Sequence, residues 1–225
     1  DLDIVRFQRT NHEELYALLN SEWLIFPDKG IEELTMKLLF DHVAVKPRSL
    51  VLLPYFSLTD MVYPCIQPNP AAVQARVNEI VYEGNVIVPA IENLKRFPYY
   101  DLRFTSHILS SYGYRFHIYP VGIDFNQVRQ YYDTSDAVLH PPVEYPTLVK
   151  EMSQYGWGFF GAFVKSQQAS STFANKVFDY ICAGLPVAVM NAENQGKWLE
   201  ETGFGIQIKG FEDIENLRDI ARWQR

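Results

Sequence analysis

The sequence has little cysteine: Cys65 and Cys182 are the only two among 225 residues. They stand far apart, which excludes both a disulfide framework and a zinc pattern of closely spaced thiols. The five histidines, His12, His42, His107, His117 and His140, form no sequence-close ligand set with cysteine or acidic residues, so a tightly held metal is not expected. No apolar run approaches the roughly 20 residues that span a bilayer, and no signal peptide opens the chain. Basic clusters are missing too. Twenty Lys and Arg stand against 27 Asp and Glu, a formal net charge of -7, which argues against general nucleic-acid binding. The chain begins at Asp1 rather than methionine, which sets the expectation of a fragment or processed product.

What is present is core material. Hydrophobic residues make up 48% and aromatics 15%, which excludes disorder as a description of the whole. The length corresponds to one large domain or two small ones. A reducing cytoplasm suits the sparse cysteines, with a peripheral membrane position left open.

The chain is organised around Ser170 to Met190, SSTFANKVFDYICAGLPVAVM. Ser170, Ser171 and Thr172 offer N-cap hydroxyls. Phe173, Val177 and Ile181 recur at helical spacing and predict one apolar side, with Thr172, Lys176 and Asp179 opposite. Gly184 predicts the helix end, and Pro186 keeps the helix from continuing. Val187 to Met190 predicts a short buried strand. A polar stripe at a helix N-terminus suits a phosphate, because unpaired N–H groups and the positive dipole end meet there. The plain alternative is a solvated helix face.

NKVFDYICAGLPVAVM resembles the K-x-x-E-Y-x-A-x-G-x-P-V segment of GT-B glycosyltransferases, particularly retaining, GT4-like ones. The resemblance continues through Gly196, Lys197, Trp198, Leu199 and Glu200 to Gly203-Phe204-Gly205. It implies that this segment lies in a C-terminal, Rossmann-like domain that holds a nucleotide-sugar donor. By the same resemblance Asp179 accepts from the ribose hydroxyls and Lys176 faces the diphosphate, with Asn175 beside them. Two positions depart from the family. Asp179 is one methylene shorter than the usual glutamate. Ser171 stands where the family's other glutamate touches the transferred sugar, so turnover by this chain is a separate question from donor binding.

Along the rest of the chain, strands are expected at Asp3–Phe7, Trp23–Phe26 and Ser49–Phe56. Helices are expected at Asn11–Leu19, with Asn11 as N-cap, and at Ile31–Phe40, after a turn at 27–30. This order resembles the last portion of a GT-B N-terminal, acceptor-side domain. Residues 57–74, with Pro64, Pro68 and Pro70, read as a stiff connector. Ile80–Val88 reads as a strand interrupted by Gly84. It resembles the family's first donor-domain strand, where the chain turns toward the phosphates, although Asn85 stands where relatives carry arginine. A β-bulge is an equally good reading of Gly84. Further helices are expected at Tyr100–Tyr112 and Thr147–Gln154, a short helical or irregular crossover at 123–132, and strands at Phe116–Val121, Ala137–His140, Trp157–Val164 and Ile206–Ile208. A last helix is expected at Phe211–Trp223.

Between Ala137–His140 and the next helix, the loop through Val143, Glu144 and Tyr145 would run beside the nucleotide base, by the same resemblance. Tyr145 either packs on the base or covers the core. His140 is a candidate for substrate contact, with a structural role as its alternative.

The whole reads as an α/β protein with a Rossmann-like parallel sheet and helices on both faces, preceded by a partial second α/β unit. The expected division is 1–60, a linker at 61–77, a donor-binding domain at 78–210 and a C-terminal helix at 211–225. The expected donor-binding residues are Ser171, Thr172, Asn175, Lys176, Asp179, Gly84, Asn85, Val143, Glu144 and Tyr145. The expected activity is transfer of a sugar from a nucleotide-sugar to a sugar, lipid or protein acceptor, with the nucleotide-sugar as co-substrate and no further cofactor. A UDP-sugar epimerase-like enzyme and a non-catalytic interaction module are the alternatives, and homo- or hetero-oligomers remain open.

Overall fold

The computed structural model describes residues 12–26, 29–40, 47–51, 76–88, 100–161, 170 and 173–218. The first part contains α1 (His12–Leu19), β1 (Trp23–Phe26), α2 (Lys29–Phe40) and β2 (Arg48–Val51). β1 and β2 pair in parallel, from Trp23 opposite Arg48 to Phe26 opposite Val51. Alternation along β1 sends Leu24 and Phe26 into a small core with Leu18 and Leu39, and leaves Trp23 and Ile25 exposed. Lys29 and Gly30 already belong to α2, which corrects the expected turn. The Glu32 carboxylate on α2 accepts from Lys29 and from Ser49 of β2, so first-turn charge and a cross-element bond fix where this helix starts. The expected strand at 3–7, Asn11, Pro27-Asp28, residues 52–56, the connector with Cys65, and residues 162–169, which include the end of the expected strand at 157–164, lie outside the described residues.

The second part is a six-stranded sheet. Its elements are β3 (Glu79–Gly84), α3 (Arg103–Ser111), β4 (Arg115–Pro120), α4 (Phe125–Tyr132), β5 (Ala137–Leu139), α5 (Tyr145–Met152), β6 (Trp157–Gly161), α6 (Asn175–Cys182), β7 (Val187–Met190), α7 (Glu193–Thr202) and β8 (Gly205–Ile208). The strand order is β5-β4-β3-β6-β7-β8, and every neighbouring pair is parallel. The strands read as apolar runs because helices cover both faces. On one face Ile80, Phe116, Ile118, Trp157 and Phe159 pack with Leu109 of α3 and Val128 of α4. On the other, Val81, Tyr119, Val187 and Val189 pack with Val149 of α5, Val177 and Tyr180 of α6, and Leu199 of α7.

The elements differ from the expected ones mainly at their ends. β3 ends at Gly84 and is not interrupted by it; its extension to Val88 is corrected, and residues 85–88 leave the sheet. The described part of the expected helix at 211–223 is a 3-10 helix, Phe211–Arg218, whose Ile214 and Leu217 are buried; residues 219–223 lie outside the described residues. Leu217 accepts from the Trp157 indole at 2.8 Å, and that tie to the sheet sets the segment's path.

The strand order reverses between β3 and β6, which makes a topological switch point at their carboxyl ends. Only two residue pairs hold β3 to β6, Ile80 with Trp157 and Val81 with Gly158. Beyond them Tyr180 of α6 closes the seam. Its hydroxyl accepts from the Glu83 N–H at 2.9 Å and donates to the Phe159 carbonyl at 3.1 Å. Its ring lies on Gly158, where any Cβ would overlap it. Tyr180→Phe should therefore leave two main-chain groups unpaired in the interior. The expected cost is about 2 kcal/mol or more, with a fall in Tm of roughly 4–8 °C. A Tm within 1 °C of the parent's would show that the seam does not depend on this hydroxyl.

Candidate functional site

α6 begins at Asn175, not among the hydroxyls before it. Ala174 is its N-cap and makes no side-chain cap bond, which corrects the expectation for Ser170, Ser171 and Thr172. Phe173 turns aside into an aromatic group with Phe178 and Trp198, at ring distances of 6.5 and 5.6 Å. That packing starts the helix after Phe173. The Ala174 N–H meets Gln195 Oε1 of α7 at 3.4 Å instead. Ser171 and Thr172 lie outside the described residues. Gly184, at φ +76°, lies just beyond the helix end, as its sequence position predicts. Cys182 is partly buried against the core under α6 and forms no disulfide.

The polar side of α6 is not a solvated face. Lys176 is partly buried and reaches over the end of β3, with Nζ 4.0 Å from the Tyr82 ring centroid. It lies directly over Gly84, where a Cβ would collide with Nζ. Gly84 also holds φ +124°, a conformation that L side chains rarely adopt, so the backbone requires glycine here, while a Cβ would displace only the flexible end of Lys176. Two segments that the sequence keeps 92 positions apart thus share one spot at the switch point. Burial pushes the Lys176 ammonium below the ordinary lysine value, and Glu83 and Asp179 pull it back up.

Asp179, one turn along α6, is also partly buried. Its Oδ1 accepts a hydrogen bond from the Tyr145 hydroxyl. Burial raises the Asp179 carboxyl, while that bond and Lys176 lower it. Tyr145 opens α5, and Pro146 follows it in the first turn, so α5 starts two residues before the expected helix. The Tyr145 ring packs against the core beneath α6. Burial, and then Asp179, push its hydroxyl well above the ordinary tyrosine value, so it remains a donor. Val143 packs against the same core. Glu144, the N-cap of α5 without a side-chain bond, is exposed, as are Asn85 and Asn175.

Glu83 was missed by the sequence reading. It lies beside Gly84 and presents a second carboxylate to Lys176 and Asp179. Burial raises its carboxyl, Lys176 lowers it and Asp179 raises it further. The available signal was a lone acid in an apolar strand, IVYEG. His140 occupies a different network. Its ring stacks on Tyr119 at 4.3 Å, and its Nε2 lies 2.8 Å from His117 Nδ1. Burial, then His140, lowers the His117 pKa to about 3, so this pair is neutral at ordinary pH.

The arrangement gathers one ammonium and two carboxylates at the carboxyl edge of a parallel sheet, beside a helix N-terminus. Among the described residues no group of three or more His, Cys, Asp or Glu could hold a metal. Among them, too, no helix is long and apolar enough to cross a membrane.

No protein-family model matches the sequence, and no curated protein matches it. Solved structures do match. Sucrose-phosphate synthase from Thermosynechococcus elongatus is 13% identical with a TM-score of 0.60, covering 100% of this chain and 58% of that one. The pneumococcal O-GlcNAc transferase GtfA, in complex with UDP and GlcNAc, is 16% identical with a TM-score of 0.54, covering 93% and 39%. Anabaena HepE, in complex with UDP and glucose, is 10% identical with a TM-score of 0.55, covering 98% and 60%. The chain therefore spans well under two thirds of the length of these neighbours. With its all-parallel sheet, its helices on both faces and these neighbours, the chain has the fold of the GT-B glycosyltransferases.

Proposed function

We propose that this chain is the nucleotide-sugar-binding part of a glycosyltransferase, transferring a sugar from that donor to an acceptor. The observation that carries the reading is the meeting of Lys176, Gly84 and Asp179 at the switch point between β3 and β6. Ligands of open parallel sheets bind at such a crevice. Lys176 would pair with the diphosphate beside the α6 N-terminus, and Asp179 would accept from the ribose. Asn85 and the 143–145 segment would border the phosphates and the base. Two GT-B-fold neighbours in complex with UDP and a sugar support the same reading. We assign the donor domain to residues 78–210, with residues 1–60 as an acceptor-side unit, 61–77 between them and 211–225 closing the domain. The nucleotide-sugar is a co-substrate, and the reading requires no further cofactor.

Calorimetric titration with UDP-, GDP-, ADP- and dTDP-sugars tests the proposal. One series should bind, and Lys176→Met should weaken its diphosphates about tenfold while leaving the parent nucleoside unaffected. If none binds the full-length protein at millimolar concentration, the donor-site reading fails and a protein-interaction role takes its place.

A further inference from the structure

Glu83 shares the spot where Lys176 meets Gly84. Its N–H donates to the Tyr180 hydroxyl at 2.9 Å, which fixes the end of β3 against α6, and it directly precedes the glycine over which the Lys176 ammonium lies. Glu83 is partly buried. Among the described residues no hydrogen-bond donor reaches its carboxylate, whereas Asp179 has the Tyr145 hydroxyl. Facing it are Lys176 and Asp179 of α6, the Tyr145 hydroxyl of α5, and Tyr82 and Tyr180, whose phenols burial keeps neutral. Among the described residues Lys176 is the one cation here, shared between two carboxylates, so the three groups carry a net negative charge.

A nucleotide-sugar adds a negative charge on each of its phosphates, and neither phosphate titrates near neutral pH. With Lys176 turned to the diphosphate, Glu83 has less of its cation and new anions beside it, in surroundings that screen charge poorly. Burial already pushes this carboxyl upward and Lys176 holds it down, so sharing Lys176 weakens the restraint. Asp179 keeps its charge, because Tyr145 and the ribose both donate to it.

We propose, resting on the donor-site reading, that the nucleotide-sugar enters with a proton, taken from solvent by the Glu83 carboxylate, so that the site holds its donor more tightly as the solution becomes more acid. The linkage is reciprocal: binding raises the proton affinity of Glu83, and a proton on Glu83 raises the affinity for the donor. The proton returns to solvent when the nucleotide leaves.

The test uses the nucleotide-sugar that binds the full-length protein, in metal-free buffer. Titration calorimetry at pH 8 in HEPES and in Tris, which differ in ionisation enthalpy, should show uptake of roughly half to one proton per donor bound, and Kd should tighten about fivefold or more between pH 8 and pH 6. Glu83→Gln should abolish the uptake, bind about fivefold tighter at pH 8 and change little over the same range. Asp179→Asn should still take up the proton. Wild-type enthalpies that agree between buffers, a flat pH profile, or binding that requires an added divalent cation each overturn the inference and leave the donor-site reading standing. So does uptake retained by Glu83→Gln or lost in Asp179→Asn. If no nucleotide-sugar binds under any of these conditions, both fall together.

Discussion

Asp179→Asn should weaken binding of the preferred nucleotide-sugar by tenfold or more, while the fold melts at nearly the parent temperature. The change replaces a charged acceptor by a neutral one of the same shape. Hydrogen bonds to charged groups contribute about 1.5–3 kcal/mol, which is the size of the expected loss. Stability should hold, because the amide oxygen still accepts from Tyr145 and burial no longer opposes a charge at this position. The competing account makes Lys176 and Asp179 a surface pair at i and i+3, worth only about 0.2–0.5 kcal/mol. Titration calorimetry and a thermal melt on the same preparation separate the two accounts. An unchanged Kd would leave Asp179 without a role in binding.

Gly161→Ala should produce the larger structural effect. Gly161 ends β6 at φ +113°, and a Cβ there would overlap the carbonyl oxygen of Met190 on β7. That oxygen is main chain within a paired strand, so it cannot rotate away as a flexible side chain would. Backbone strain of about 1–3 kcal/mol adds to overpacking of similar size. The expected total is roughly 3 kcal/mol or more, a fall in Tm of about 6–12 °C. Nucleotide affinity should fall as well, since β6 forms one wall of the switch point. A variant that melts with the parent would mean that β6 and β7 separate at their ends at no cost.

The sequence carried the elements better than their ends, and single residues better than their partners. β7 runs over Val187–Met190 as its apolar run predicts, and α6 stops before Gly184. Both follow from local chemistry, burial on two faces in one case and a left-handed cap in the other. The start of α6 was not legible, because Phe173 answers to Trp198 on another helix and not to the hydroxyls beside it. Lys176 and Asp179 stood out by their spacing, yet their burial depends on Tyr82 and Tyr145 from distant segments. Nothing in the sequence singled out Tyr180, since periodicity reports which side of a helix is buried and says nothing of a hydroxyl reaching across two strands. Glu83 was hidden in the same way, inside a run whose apolar neighbours marked it as strand.

The central position of β3 has a kinetic consequence. It is the first strand of its sheet to leave the ribosome, and its partner β6 follows only after β4 and β5. While Trp157–Gly161 is still unmade, the growing chain can pair β3 with β4 but must carry its other edge bare, open to pairing with a neighbouring chain. Parallel pairing across such a separation is slow. The crevice at the switch point is absent until β6 has been made, because its walls are β3 and β6, and Tyr180, which ties them, is synthesised later still. A small molecule held there has no purchase on a nascent chain that ends before Tyr180.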